Sequence, residues 1–399
     1  MLNISDTKQE QSITPLLRLG FRPFFLFGGV FACVAMLLWI LTLTGILAFS
    51  PFINALWWHS HEMLFGFVPA IIVGFLLTAV QTWTGVPGIR STQLLLVFSL
   101  WALARILLAI NWSLPMPLVM AIDLAFLPLA AWYLARPIFA LKQFRNMFFV
   151  PLLLAMTLAN SFSYLPAMGF DAKWLQQGFY GMLLLVTMLV LVLGGRVIPL
   201  FTANGTGSTK VLPLRWLEIS AIGSVVLSML VFLLGISLPS YVVAALFSLA
   251  AITNLVRCLR WRVWITMAVP LLWSLHLAFL FIPLGLGLIA LHFSLDLLPL
   301  SSAIHALTTG GIGGMILAMM ARVSLGHTGR KLQVGILIES AFVALLLAAF
   351  IRSVGLAIFP QFSIQLWIIS ALCWSLAFGL FVIVYWPILS SARADGRAG

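Results

Sequence analysis

Twelve uninterrupted apolar runs, each close to the ~20 residues that carry a helix across a bilayer, leave this chain almost no choice of fold. They lie near residues 24–46, 60–82, 93–111, 116–135, 147–165, 176–198, 216–236, 240–256, 263–283, 302–321, 334–351 and 365–389. In hydrocarbon, backbone N–H and C=O groups must bond within their own segment, so each run is expected to be a helix. The fold class expected is all-α: a polytopic membrane protein of 12 transmembrane helices. Hydrophobic residues make up 63% of the chain and charged ones 8%. A soluble domain with that balance would expose large apolar patches.

Loop charges orient the bundle. Of the 21 Lys and Arg residues, only Lys173 and Arg352 fall on one side, and Arg105 lies inside a run. The rest, Arg18, Arg22, Arg196, Arg257, Arg322, Arg330 and Arg393 among them, collect on the other side. The positive-inside bias makes that basic side cytoplasmic, with both termini in. The organisation expected is a cytoplasmic segment over 1–14, one membrane domain over 15–391 and a cytoplasmic tail over 392–399. A net charge of +12 would suit a nucleic-acid binder, but no soluble basic domain carries it. The partner expected is the lipid bilayer, with no nucleic acid. The first run is longer than a signal-peptide core and lacks a small-residue cleavage site, so it reads as an anchor. Cys33, Cys258 and Cys373 stand far apart in apolar runs and read as packing residues, excluding a disulfide framework or a thiolate zinc site.

Two 25-residue windows resemble each other: His61 to Gly85, and His305 to Gly329, with Gly66 and Gly310 at the same offset. Gly195-Arg196-Val197 to Gly205 echoes Ala321-Arg322-Val323 to Gly329. Terminal glycines at 85, 205 and 329 suggest three tandem four-helix units.

Ionisable groups inside membrane segments face the protein interior and mark sites. Trp57-Trp58-His59-Ser60-His61-Glu62 stands at the mouth of the second run. Within a helix, rings two residues apart point about 200° from one another, so His59 and His61 are not one chelate. His59 either sits at the interface with the tryptophans or serves a metal; Glu62 is placed to orient an imidazole. With a rise of about 1.5 Å per residue, His305 falls near the outer end of run ten, His276 in the outer half of run nine and His292 at its exit. His327, beside Arg330 and Lys331, reads as a solvated loop residue. Arg105 and Asp123 match in depth: an ion pair between neighbouring helices, or an anchor for a haem propionate. Gly310-Gly311-Ile312-Gly313-Gly314 serves close packing or leaves room for a flat macrocycle. Glu218 and Glu339 read as interfacial.

Trp58 to Gly66, Gly74 to Val80 with Trp83-Thr84-Gly85, Arg18-Leu19-Gly20-Phe21-Arg22-Pro23-Phe24-Phe25, Gly194-Gly195-Arg196-Val197-Ile198-Pro199 and His305 to Gly311 together resemble the NnrS family. The similarity runs from about Leu17 to the last helix. It implies a multi-pass protein of the bacterial inner membrane that contains haem, of b type, and copper, and acts in nitric oxide metabolism or resistance to nitrosative stress. The resemblance does not assign the ligands; from the residues themselves, His61 and His305 are the expected haem ligands because their segments look related and enter from the same face, with Arg105 as propionate anchor, and copper draws on His59, His276 or His292. No catalytic residue and no electron donor is assigned. The layout also resembles the catalytic subunit of haem-copper oxidases, but a His-His pair and a histidine on run six are missing, so oxygen reduction is not expected. The alternative is a secondary transporter of a small solute built on the Arg105/Asp123 pair.

Overall fold

The computed structural model describes residues 12–296 and 298–397. Most of the 1–14 segment, up to residue 11, and the last two residues of the 392–399 tail lie outside the described residues. Among the described residues, twelve helices are long and apolar enough to cross a membrane. They are α1 Phe21–Leu43, α2 Ala55–Thr84, α3 Ser91–Ala109, α4 Met116–Ala140, α5 Phe144–Met168, α6 Lys173–Thr206, α7 Arg215–Leu233, α8 Ser240–Arg260, α9 Pro270–Leu295, α10 Leu300–His327, α11 Ile336–Ile358 and α12 Pro360–Leu389.

Local chemistry sets the boundaries. Asn54 Oδ1 accepts the Trp57 N–H at 2.9 Å and starts α2, the usual use of an N-cap amide. Pro115, Pro239 and Pro299 stand immediately before α4, α8 and α10. Pro270 opens α9, where a missing N–H costs nothing.

The ninth span is displaced from its expected place at 263–283. Val263–Thr266 form only a short 3-10 turn, and the helix then runs from Pro270 through Pro283 to Leu295. Proline inside a membrane helix is tolerated because neighbours re-satisfy the backbone it frees. His276 therefore lies six residues, about 9 Å, from the end of α9 nearest the basic loops, not in its outer half. His292 lies inside the helix near its charge-poor end.

The windows that resemble each other in sequence also share an uncommon backbone. His61 is followed at once by a π-helical turn, Glu62–Phe67, and His305 by another, Ala306–Gly313. Such turns are rare and concentrate at functional sites. In the first, Pro69 has no N–H to return to the turn before it; in the second, glycines weaken the α-helix. Both windows close on a left-handed glycine, Gly85 at φ +71° and Gly329 at φ +72°. The third echo slips: Gly205 stays within α6, and the left-handed cap is Gly207 at φ +68°.

The contacts group into two compact units, not three. One comprises residues up to Met182, Met320–Leu332 and those from Phe381 onward; the other is Leu183–Met319 with Gln333–Leu380. Of the twelve apolar windows, those of α2 and α10 are the most buried, at 83% and 78% against 33–61% for the others. The two histidine-bearing windows thus belong to protein rather than to lipid.

In the first unit, the early Gly20-Phe21 motif packs on α2. The Phe21 N–H donates to Thr78 Oγ1 at 2.9 Å, and Gly74 is needed because a Cβ there would stand 2.7 Å from Phe24 Cβ. Buried Arg22 donates through Nη1 to the Leu389 and Ser391 carbonyls at 2.9 and 2.7 Å, holding the end of α12. Arg393 donates to the His327 carbonyl at 2.8 Å, and its guanidinium on Asp395 holds that carboxyl below the usual carboxylate range. His327 ends α10, half-buried, with its ring 5.6 Å from that of Phe21. It is not a solvated loop residue, because the tail folds back onto it.

Candidate functional site

Four neighbouring spans of the first unit bring their polar residues to one buried cluster. The π-helical turn in α2 supplies Glu62 directly after His61, α3 supplies Arg105, α4 Asp123, and α5 Asn160 and Tyr164. Arg105 Nη1 donates to Glu62 Oε1 at 2.7 Å, and Nη2 donates to Asp123 Oδ1. Asp123 Oδ2 accepts from Asn160 Nδ2 at 2.7 Å and from the Tyr164 hydroxyl at 3.0 Å. Gly66 lies against this cluster: a Cβ there would stand 2.3 Å from Arg105 Nη1. Trp101 Nε1 donates to the Gly66 carbonyl at 2.9 Å.

The network assigns the hydrogens on His61. Asn160 spends its amide nitrogen on Asp123, so it turns its oxygen to His61 Nε2 at 2.9 Å. His61 Nδ1 faces Glu62 Oε1 at 3.0 Å, an oxygen that already accepts from Arg105. Each ring nitrogen therefore meets an acceptor and carries a hydrogen. Imidazolium and guanidinium then balance two carboxylates. Trp57 stacks on the imidazole at 4.3 Å, and His61 is fully buried.

This geometry does not suit the haem roles expected of His61 and Arg105. An axial ligand presents a ring-nitrogen lone pair, and here both nitrogens serve as donors. A propionate anchor needs a guanidinium edge, and Arg105 has given both its Nη atoms to carboxylates, which leaves only the buried Nε without a partner. Of the two sequence alternatives for Arg105 and Asp123, the interhelical ion pair is the one observed, with Glu62 as a third member. Glu62 does orient the imidazole as expected. Neighbouring His59 goes elsewhere, stacked on Trp39 at 4.5 Å.

In the second unit the histidines are differently engaged. His305, half-buried, donates from Nδ1 to the Ser301 carbonyl at 2.7 Å. His292 donates from Nδ1 to the Leu298 carbonyl at 2.9 Å. In both, the lone pair falls on Nε2, the tautomer in which metal-ligating histidines are held by a backbone carbonyl behind the ring. His276 Nε2 instead meets the Thr202 hydroxyl at 2.8 Å. Because α9 is unbroken from Pro270 to Leu295, His276 and His292 are about 24 Å apart and share no centre.

The glycine run sets the register between α9 and α10. A Cβ on Gly314 would meet Ala278, on Gly311 Ile282, on Gly310 Phe281, and on Gly285 Leu307, each at 2.3–2.7 Å. Trp374 fills the space at Gly313, where a Cβ would stand 2.6 Å from its ring. The run is therefore filled by side chains and packs helices; it does not seat a flat ring. Continued outward, the register sets His305 level with Gly287, five residues or about 7.5 Å deeper than His292. The two imidazoles stand at different depths of one helical hairpin.

Sequence reasoning missed Asn160, Tyr164 and Thr202, whose only signal was a polar side chain in an apolar run, where it must find a partner. It also missed the pairing of Glu218 with Arg257. Arg257 lies inside α8, 2% exposed, and donates to both oxygens of Glu218 at 2.8 and 2.6 Å. Gly195 of the Gly194-Gly195 motif makes room for it, since a Cβ there would stand 1.8 Å from Nη2.

The family model described as NnrS protein matches residues 15–393 of the chain. No curated protein matches it.

Proposed function

The chain belongs to the NnrS family, and from that premise we propose that it acts in the bacterial inner membrane in nitric oxide metabolism or resistance to nitrosative stress, through metal held by histidines of the α9–α10 hairpin. His305 is the proposed ligand for haem iron and His292 for copper. The observation that carries this reading is the shared tautomer: each Nδ1 donates to a backbone carbonyl, at 2.7 and 2.9 Å, which puts the ring lone pair on Nε2, the coordinating nitrogen. Imidazole suits both metals. Iron or copper held by these imidazoles would supply a centre able to bind nitric oxide. The gas is small and neutral, so it reaches an intramembrane position through lipid.

What the chain itself does is hold two imidazoles in the ligating tautomer at separate depths. The π-helical turn that begins at Ala306 follows directly on His305, and the filled glycine run fixes α10 against α9. The Arg105/Asp123 pair does not favour a transport role, because both residues are buried and committed to one another.

The test is the absorption spectrum of protein purified from membranes supplied with haem precursor and copper. A haem band that moves on adding nitric oxide supports the reading. A fully supplemented preparation with neither haem nor copper would overturn it.

A further inference from the structure

We infer that His61, Glu62, Arg105 and Asp123 form a charge-balanced lock across α2 to α5 that takes no metal, although His61 is the histidine the sequence most strongly marks as a ligand and although Glu62 Oε2 and Arg105 Nε are left without hydrogen-bond partners. Two cations and two anions meet with every pairing direct: Arg105 on Glu62 and Asp123, His61 on Glu62 and, at 3.4 Å from Nε2, on Asp123. Asn160 and Tyr164 bring α5 into the same cluster through Asp123. All four charged residues are buried, at most 6% exposed.

The physical reason for such a lock is the cost of an isolated charge. An uncompensated ion in a low-dielectric interior is strongly disfavoured, so any single neutralisation leaves a net charge that the cluster cannot hold. A neutral pair removed together leaves no such residue. The π-helical turn starts at Glu62, directly after His61, and both side chains enter the same cluster. The lock thereby fixes four helices at one point and keeps the imidazole as a donor on both sides. A metal would require His61 to lose a hydrogen and Asn160 to turn over, breaking its bond to Asp123.

The inference rests on the metal reading above only in its spectroscopic arm. The experiment is a double-mutant cycle in detergent with His61→Gln, Glu62→Gln and the double variant, read by the thermal-unfolding midpoint. A second cycle uses Arg105→Gln with Asp123→Asn, in case the first pair folds poorly. Each single substitution is expected to lower the midpoint by several degrees, and each double variant to recover most of that loss. Absorption and bound iron and copper of His61→Gln/Glu62→Gln are expected to match those of the unsubstituted protein. Strictly additive losses in both cycles would overturn the lock, as would loss of the absorption band in a double variant that remains folded. If the unsubstituted protein carries no metal at all, the functional reading fails, while the two cycles still decide the lock.

Discussion

Asn160 turns its amide oxygen to His61 Nε2 over 2.9 Å because its amide nitrogen is committed, over 2.7 Å, to Asp123. One amide on α5 thus decides the hydrogen-bonding character of an imidazole on α2. Replacing Asn160 with leucine leaves His61 Nε2 and Asp123 Oδ2 each short of a partner in a buried setting. Removing one side of a buried hydrogen bond costs about 1–3 kcal/mol. Asn160→Leu is expected to lose at least that much, measured by chemical unfolding in mild detergent.

Gly66 is the point where backbone touches the lock. A Cβ would sit 2.3 Å from Arg105 Nη1 and 3.2 Å from Glu62 Oε2, so Gly66→Ala forces the guanidinium to move. Overpacking of this kind costs about 1–3 kcal/mol. The lowered stability is expected to be partly relieved by the shorter Arg105→Lys, and the two-variant comparison by thermal scanning checks it.

The glycine caps of the two similar windows are not equivalent. At both Gly85 and Gly329 alanine must adopt a left-handed backbone, which costs about 1 kcal/mol or slightly more. Nothing lies within 4 Å of a Cβ at Gly85, whereas at Gly329 it would stand 2.6 Å from Asp395 Cγ. Gly329→Ala is therefore expected to destabilise more than Gly85→Ala and to speed proteolysis in the tail, which a timed trypsin digest reads.

Arg257 and Glu218 make a separate pair in the second unit. Arg257→Met strands the Glu218 carboxylate beside an apolar side chain, and breaking a buried pair from one side costs about 3 kcal/mol or more. Glu218 keeps a quarter of its side chain exposed, which places the loss at the lower end. Arg257→Met with Glu218→Gln is expected to be milder than Arg257→Met alone, by the same unfolding measurement.

Much of the fold was legible because lipid imposes length: runs of apolar residues became twelve helices, mostly within a few residues of their expected limits. The exception is instructive. Pro283, Gly285 and Gly287 read as the end of a span, and apolar Val263 to Thr266 as its beginning. Tertiary packing reversed both, because Leu307 seats against Gly285 and the helix continues. That shift carried His276 from the charge-poor half to the other end of α9. The third echo slips at Gly205, where Leu272 Cδ1 lies 2.8 Å from a Cβ position and the helix runs on to Thr206.

The candidate site was half legible. Costly polar residues in apolar runs drew notice to His61, Arg105, Asp123 and His305. Whether an imidazole donates or accepts depends on groups from other helices, such as Asn160 for His61, and no spacing along the chain encodes that. For His305 and His292 the partner is a carbonyl four or six residues away, local enough to read only once the helix ends are known.

Bound metal per chain tests most directly which imidazoles ligate. Iron and copper are to be measured in purified His305→Ala and His292→Ala beside the unsubstituted protein, all from supplemented membranes. The expected result is loss of iron with the haem band in His305→Ala and loss of copper in His292→Ala, each with the fold intact. Full retention of both metals in the two variants would contradict the assignment.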